Sequence, residues 1–345
     1  MSAAQPPPAR RDADGSRLSV LDGWRGISIL AVLATHLLPL GPKVLRLNET
    51  FGPIGMSLFF TLSGFLITRF LLHHASIRDF LIRRVFRVVP LAWPFEAVAL
   101  TAFGASAGAA IPHLLFYANL PPIVLTDVTG HFWSLCVEMQ FYVGAALIAG
   151  LLGARGLLLL PILGLAVTAG RAATGTTISI VTWFRLDEVL AGCTLALAWE
   201  GRLGPRAAHV LDRVSPWLLG ALLFVASHPD SGPFNYLRPY LGAALIGSSL
   251  RLPAESRLAR LLRGKALGYV AEISYALYVF HPLLAHTWLG SGDKLVKYAK
   301  RPLLFAVLFA ISHLSTFQYE HRFIALGKRL SARLAAREEP PQVSA

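Results

Sequence analysis

The sequence predicts an all-α polytopic membrane protein: about ten transmembrane helices, both termini cytoplasmic, around a polar intramembrane cavity. Three observations predict it. Of the 345 residues 54% are hydrophobic and only 15% charged, where a soluble domain carries roughly a quarter charged residues. The mean hydropathy is +0.56, and the apolar residues fall in repeated long runs. The net charge of +13 comes from basic residues in short clusters between those runs, which is how a membrane protein is oriented rather than how nucleic acid is bound.

A helix needs ~20 residues to cross ~30 Å of hydrocarbon. On that measure spans are expected at 19–40, 52–72, 88–107, 132–152, 156–170, 178–199, 216–227, 236–250, 267–289 and 302–321. The first is too long for a signal-peptide core and no small-residue cleavage site follows it, so it reads as an uncleaved span. Residues 1–18, polar, Pro-rich and Arg-bearing, read as a disordered cytoplasmic tail, and 331–345 as a second cytoplasmic tail. With the N-terminus inside, Arg78, Arg83, Arg84 and Arg87 fall on the inner side, as do Arg257, Arg260, Arg263 and Lys265. The outer side receives a minority, among them Lys43, Arg46, Arg171, Arg238 and Arg301, and that asymmetry supports N-in, C-in. The stretch 111–131, with paired prolines and Asp127, reads as an outer-face loop or re-entrant segment. Cys136 and Cys193 both lie in expected spans, so neither a disulfide framework nor a cysteine metal site is expected, and no metal is assigned.

Polar residues inside apolar runs carry the functional signal. In "VLDGWRGISILAVLATHLLPL", Arg25 and His36 stand eleven positions apart, about three turns plus 20°. They share one helix face, ~16 Å apart along the axis. Alone, Arg25 reads as a snorkelling anchor and His36 as an interfacial histidine. Together on one face they point to function, because that face must avoid lipid. "GHFWSLCVEMQFYV" puts Glu138 about two turns into a span, "EISYALYVFHPLL" holds His281, and "TWFRLDEVLAG" holds Arg185, Asp187 and Glu188. A mid-membrane charge costs several kcal/mol unless paired or wet, so charges at similar depth on several helices predict one shared polar cavity. The competing reading of Glu138 is a structural ion pair with Arg185; Asp187 and Glu188 read as structural.

On the inner side, "RDFLIRRVFRVVP" sets Arg84 and Arg87 three apart, so both guanidinium groups point one way. Such a fork suits phosphate; the competing reading is a stop-transfer cluster. In "GPIGMSLFFTLSGFLITRF", Gly52, Gly55, Ser57, Ser63 and Gly64 read as close-packing residues that also allow a lined pocket. A histidine beside a carboxylate can take a proton from a hydroxyl, and inner arginines can hold the phosphates of a cytoplasmic cofactor whose long arm reaches inward. The same residues also fit an ion-coupled transporter.

These blocks, in order from Leu21 to Leu330, resemble membrane acyltransferase family 3. The likeness rests on "LDGWRGISILAVLATH", "GMSLFFTLSGFLITRF", "RRVFRVVP", "FWSLCVEMQFYV", "RLDEVLAG", "SYALYVFHPLL" and "YEHRFIALGKRL"; the variant "VFHPLL" is a mild departure. The resemblance implies that 19–330 is an acyltransferase transmembrane domain in the bacterial cytoplasmic membrane. It implies transfer of an acyl group, usually acetyl, from cytoplasmic acyl-CoA to a hydroxyl, often on a cell-surface or exported glycan. It makes His36 the catalytic base, Arg25 its motif partner and Glu138 the acidic helper. Arg84 and Arg87 become the CoA-side arginines, and His281, Ser63 and Trp133 the substrate-side residues. Some relatives carry a fused extracytoplasmic hydrolase-like domain, which this chain is expected to lack. Acceptors other than glycans, such as a macrolide, and a proton-coupled exporter remain the competing readings.

Overall fold

The computed structural model describes residues 19–74, 76–103 and 107–336. The expected tail 1–18 and residues 337–345 lie outside the described residues, while 331–336 continue a helix. All regular structure among the described residues is helical. In chain order the helices are α1 (Ser19–Leu37), α2 (Leu47–His73), α3 (Ile77–Ala102) and α4 (Ala107–Leu114). Next come α5 (Trp133–Gly156), α6 (Leu160–Ala173), α7 (Leu186–Trp199), α8 (Pro205–His209), α9 (Pro216–Ser227) and α10 (Arg238–Leu250). The last are α11 (Arg257–Leu262), α12 (Lys265–Glu272), α13 (Ser274–Ala285), α14 (Lys294–Ala299), α15 (Arg301–Leu314) and α16 (His321–Ala336).

Among the described residues, five helical segments are long and apolar enough to cross a membrane: Ser19–Leu37, Lys43–His73, Ile77–Ala102, Gly130–Ala173 and Arg301–Ala336. This is the pattern of a polytopic membrane protein. Gly130–Ala173 holds two of the expected spans. Gly153 takes φ 65° and ψ −168°, a left-handed conformation that suits glycine, and a Cβ on Gly156 would lie 3.0 Å from the Ile148 carbonyl oxygen. Eight residues of straight helix would separate those positions by ~12 Å, so the chain folds back on itself at Gly153. Expected spans 178–199, 216–227 and 236–250 are short helices of 14, 12 and 13 residues. The expected span 267–289 is broken at Ile273 into α12 and α13. The stretch 111–131 continues out of α4 into turns and ends in a 3-10 turn, with Asn119 buried and bonded to Thr182 and Gln140.

Helix starts follow local chemistry. Ser76 accepts the Asp79 N–H at the head of α3, and Pro216, Pro239 and Pro302 occupy first-turn positions of α9, α10 and α15, where a missing N–H costs nothing. The helix from Ile77 places Arg84 and Arg87 two turns inside α3 rather than ahead of it, as the expected span 88–107 had them. α15 runs into α16 through a π-helical turn, Ser315–Glu320, which carries α16 back along α3.

The centre is built on α2, which packs against α1 and α7. A Cβ on Gly64 would sit 1.9 Å from the Val189 carbonyl oxygen, and one on Gly192 would sit 2.1 Å from that of Thr61. The two helices therefore meet backbone to backbone, the close approach that small residues allow. Ser28 seals the other side of α2 by donating to the Gly55 carbonyl at 2.7 Å. Gly64→Ala is expected to lower thermal stability by about 1–3 kcal/mol, because neither backbone can yield. Gly144→Ala, which meets nothing within 4 Å, is the control and should unfold like the parent in detergent.

Candidate active site

A cavity of about 550 Å³ opens at the arginine end of the bundle and runs inward between α1, α2, α3, α5, α12, α13 and α16. Its wall along α1 is Arg25, Ser28, Ile29 and Val32, one helix face at intervals of three and four; His36 continues that stripe one turn beyond Val32. The shared face expected for Arg25 and His36 is present. The cavity changes character along its length. At the mouth stand exposed Lys328 and half-buried His321, Arg84 and Arg87; in the middle Arg25, Glu138, Tyr142 and Tyr275; at the far end Val32, Met56, Phe59, Leu135 and Tyr278.

The arginines are held in place from behind. Arg84 lies over the rings of Phe80 and Tyr142, 5.8 and 5.7 Å from their centroids, and its Nε is buried with no acceptor among the described residues. Arg87 lies 5.7 Å from the Tyr275 ring, and its Nη1 is 3.6 Å from Glu320, a buried carboxylate supplied by the π-helical turn. Cation–π packing fixes such groups without using their N–H donors, which stay free for a ligand. The lining itself carries Arg25, Arg84, Arg87 and Lys328 against Glu138 and Glu272, with Glu320 behind Arg87, so the cavity favours an anionic guest.

Glu138 is placed differently from expectation. Its Oε1 accepts hydrogen bonds from Ser63 Oγ and Tyr142 Oη, both at 2.6 Å. It pairs neither with Arg185, which bridges to Glu188 at 3.2 Å, nor with His36 among the described residues. The reason is depth: Glu138 lies level with the arginines, beside Ser63 and Tyr142, whereas His36 stands near the end of α1. Ser63, expected on the substrate side, donates to this carboxylate.

The partner of His36 is His281. Their Nδ1 and Nε2 atoms lie 3.0 Å apart with the rings 10° from coplanar. The hydrogen-bond chain assigns the tautomers. A carbonyl oxygen can only accept, so His281 Nδ1 carries the hydrogen and donates to the Tyr278 carbonyl at 2.7 Å. Neutral His281 then offers Nε2 as an acceptor, and His36 Nδ1–H donates to it. This leaves the lone pair on His36 Nε2. His281 is fully buried while His36 is exposed, so the basic nitrogen belongs to the accessible ring. A base oriented by a second group in this way is the geometry of general-base catalysis.

Between the cavity and the histidines lies an aromatic layer. Phe59 and Tyr278 stack at 6.5 Å, Tyr278 Oη donates to the His131 carbonyl and accepts from Ser134 Oγ at 2.6 Å, and the His131 ring lies 5.3 Å from that of His281. The single shared cavity expected for all the polar residues is therefore divided: the arginines and Glu138 line it, His36 and His281 stand one turn past its end, and Arg185, Asp187 and Glu188 form a separate cluster. Trp133 stands beside that cluster, 5.1 Å from the Arg185 guanidinium. Tyr142 and Tyr278 were missed by sequence reasoning, although each stands one helical turn from a flagged residue, Glu138 and His281.

The family model described as an acyltransferase domain, acyltransferase family 3, matches residues 18–317. The peptidoglycan O-acetyltransferase OatA of Listeria monocytogenes serovar 1/2a is 28% identical over 316 residues, covering 77% of this chain and 49% of its own. YrhL of Bacillus subtilis (strain 168) is 27% identical over 321 residues, 76% of this chain and 47% of its own, and Nodulation protein 10 of Rhizobium leguminosarum bv. viciae is 23% identical over 292 residues, 70% and 74% respectively. The chain spans about half the length of the first two. No solved structure matches it. A match over most of the chain settles the family: the protein belongs to acyltransferase family 3.

Proposed function

We propose that the protein is a membrane O-acyltransferase that takes an acyl group, acetyl by analogy with the named relative, from acyl-CoA and delivers it to a hydroxyl of a cell-surface or exported glycan. The observation that carries this reading is the line from the cationic mouth, along one face of α1, towards His36, whose Nδ1 is turned to His281. The phosphates of CoA would meet Arg84, Arg87 and Lys328. The pantetheine arm would follow Arg25 and Tyr275 inward, and the acyl thioester would reach the apolar end at Val32 and Phe59. One helical turn, ~6 Å, separates Val32 from His36, within reach of an imidazole side chain. The acceptor hydroxyl would give its proton to His36 Nε2 as its oxygen attacks the thioester carbonyl. Collapse of the tetrahedral intermediate breaks the C–S bond, and the thiolate of CoA leaves and takes up that proton. Glu138 would balance the arginines and hold Tyr142 and Ser63 rather than assist His36 directly. In that placement the CoA end lies on the cytoplasmic side of a bacterial inner membrane, with both termini inside.

The test is transfer of labelled acetyl from acetyl-CoA to a panel of glycan acceptors by purified protein. Arg84→Ala combined with Arg87→Ala is expected to raise the KM for acetyl-CoA about tenfold or more, ~1.4 kcal/mol of lost binding, with the acceptor KM unchanged. A change confined to the acceptor KM would remove CoA from this mouth. Absence of transfer to every glycan, with transfer to a small hydroxyl compound such as a macrolide, would redirect the acceptor assignment alone.

A further inference from the structure

We propose that the ends of α6, α7 and α10 form a second binding site, separate from the active site, that holds a phosphate-type oxyanion between Arg185 and Arg238. Five charged side chains converge there, Arg171, Arg185, Arg238, Asp187 and Glu188, none more than 2% exposed. Arg171 and Asp187 satisfy each other: Asp187 accepts from Arg171 Nη1, and the remaining Arg171 donors go to the carbonyls of Thr176 and Thr177 and to Asn235. Glu188 is left to serve two arginines, Arg238 Nε at 2.7 Å and Arg185 Nη2 at 3.2 Å. The cluster therefore carries one positive charge more than its carboxylates balance.

The unused donors belong to the same two arginines. Arg185 Nε and Nη1 and Arg238 Nη1 and Nη2 are buried and have no acceptor among the described residues. Water can accept such N–H groups, but it cannot cancel a charge held out of solvent. A third contribution has the same sign. The N-termini of α7 and α10, helices of 14 and 13 residues, both open at this cluster, and a helix N-terminus favours an anion. Phe60 and Trp133 pack on one side of the Arg185 guanidinium, 5.8 and 5.1 Å from their ring centroids, without taking up its N–H groups. Paired guanidinium edges match the tetrahedral oxygens of phosphate. The surplus of one charge matches a phosphodiester monoanion. A phosphate of that charge can come from a lipid headgroup or, as dihydrogen phosphate, from solution.

The site is tested with the purified full chain in a sugar-headgroup detergent, in sodium phosphate, in short-chain phosphatidylglycerol, or in sodium chloride alone at the same ionic strength. Phosphate or phosphatidylglycerol is expected to raise the unfolding midpoint above that in chloride. A response to both or to phosphate alone assigns a free oxyanion, and a response only to phosphatidylglycerol assigns a headgroup. Glu188→Gln, which adds to the surplus charge, should enlarge the shift; Arg238→Gln should abolish it. Should Arg238→Gln fail to fold, Arg238→Lys keeps the charge without the fork and should bind the same probe at least tenfold more weakly by titration calorimetry. Equal midpoints in chloride, phosphate and phosphatidylglycerol for the parent chain, or a shift that Glu188→Gln and the Arg238 variants leave unchanged, would overturn the proposal.

Discussion

His36→Ala is expected to lower kcat for acyl transfer by about 10²–10⁴-fold, the range that a positioned general base contributes, with little change in the KM for acyl-CoA. The split between the two constants follows from geometry. The cavity that would receive CoA ends at Val32 and Phe59, one turn short of His36, so truncating the imidazole leaves the donor site intact. His281 acts one step behind. Its Nδ1–H is fixed on the Tyr278 carbonyl, and its Nε2 fixes the hydrogen of His36 on Nδ1. His281→Phe keeps an aromatic ring in that place but removes the acceptor, so His36 is no longer held in the tautomer that exposes Nε2. A fall in kcat smaller than that of His36→Ala, again with the acyl-CoA KM kept, is the expected result, measured as initial rates over a series of acetyl-CoA concentrations. Undiminished transfer by His36→Ala would take the base out of the mechanism, and a loss expressed only in the acyl-CoA KM would place His36 in the donor site instead.

The parts of this arrangement that could be read from the sequence are those set by helical period. Arg25 and His36 fall on one face because eleven residues nearly complete three turns, and the cavity wall between them, Ser28, Ile29 and Val32, obeys the same arithmetic. Arg84 and Arg87 likewise point into one cavity. Depth was harder to read. Glu138 was expected level with His36, yet it lies beside Tyr142 and Ser63 among the arginines, because the height of one helix relative to another is set by tertiary packing. Arg171 and Arg238 read as ordinary outer-side charges, since sequence shows that a basic residue flanks an apolar run but not whether it turns outward or inward. Both are fully buried. The helix count was the least legible. Apolar runs of 12 to 14 residues look the same whether they cross the bilayer or pack as short helices within a bundle, whereas the fold-back at Gly153 falls between the two spans, 132–152 and 156–170, that the sequence separates.

Asp187→Asn is expected to cost about 3–5 kcal/mol of stability, the typical penalty for removing one partner of a buried ion pair. Both members are fully buried, and Asp187 is the carboxylate bonded to the Arg171 guanidinium. The other acceptors of Arg171 are neutral: the Thr176 and Thr177 carbonyls and Asn235 Oδ1 at 3.1 Å. They satisfy its N–H groups but leave its charge uncompensated once Asp187 is gone. Because this pair ties the end of α6 to the start of α7, the loss should appear as a lower unfolding midpoint and as earlier proteolysis near Thr176 and Thr177. Removing the charge as well tests the cause. Arg171→Gln with Asp187→Asn replaces the ion pair by two amides, and the double variant should recover much of the stability lost by Asp187→Asn alone, since neither side then buries a lone charge. If Asp187→Asn costs under about 1 kcal/mol, as exposed ion pairs do, or if the two substitutions simply add, the pair is solvated in the native state and the end of α6 is held by its carbonyl contacts instead.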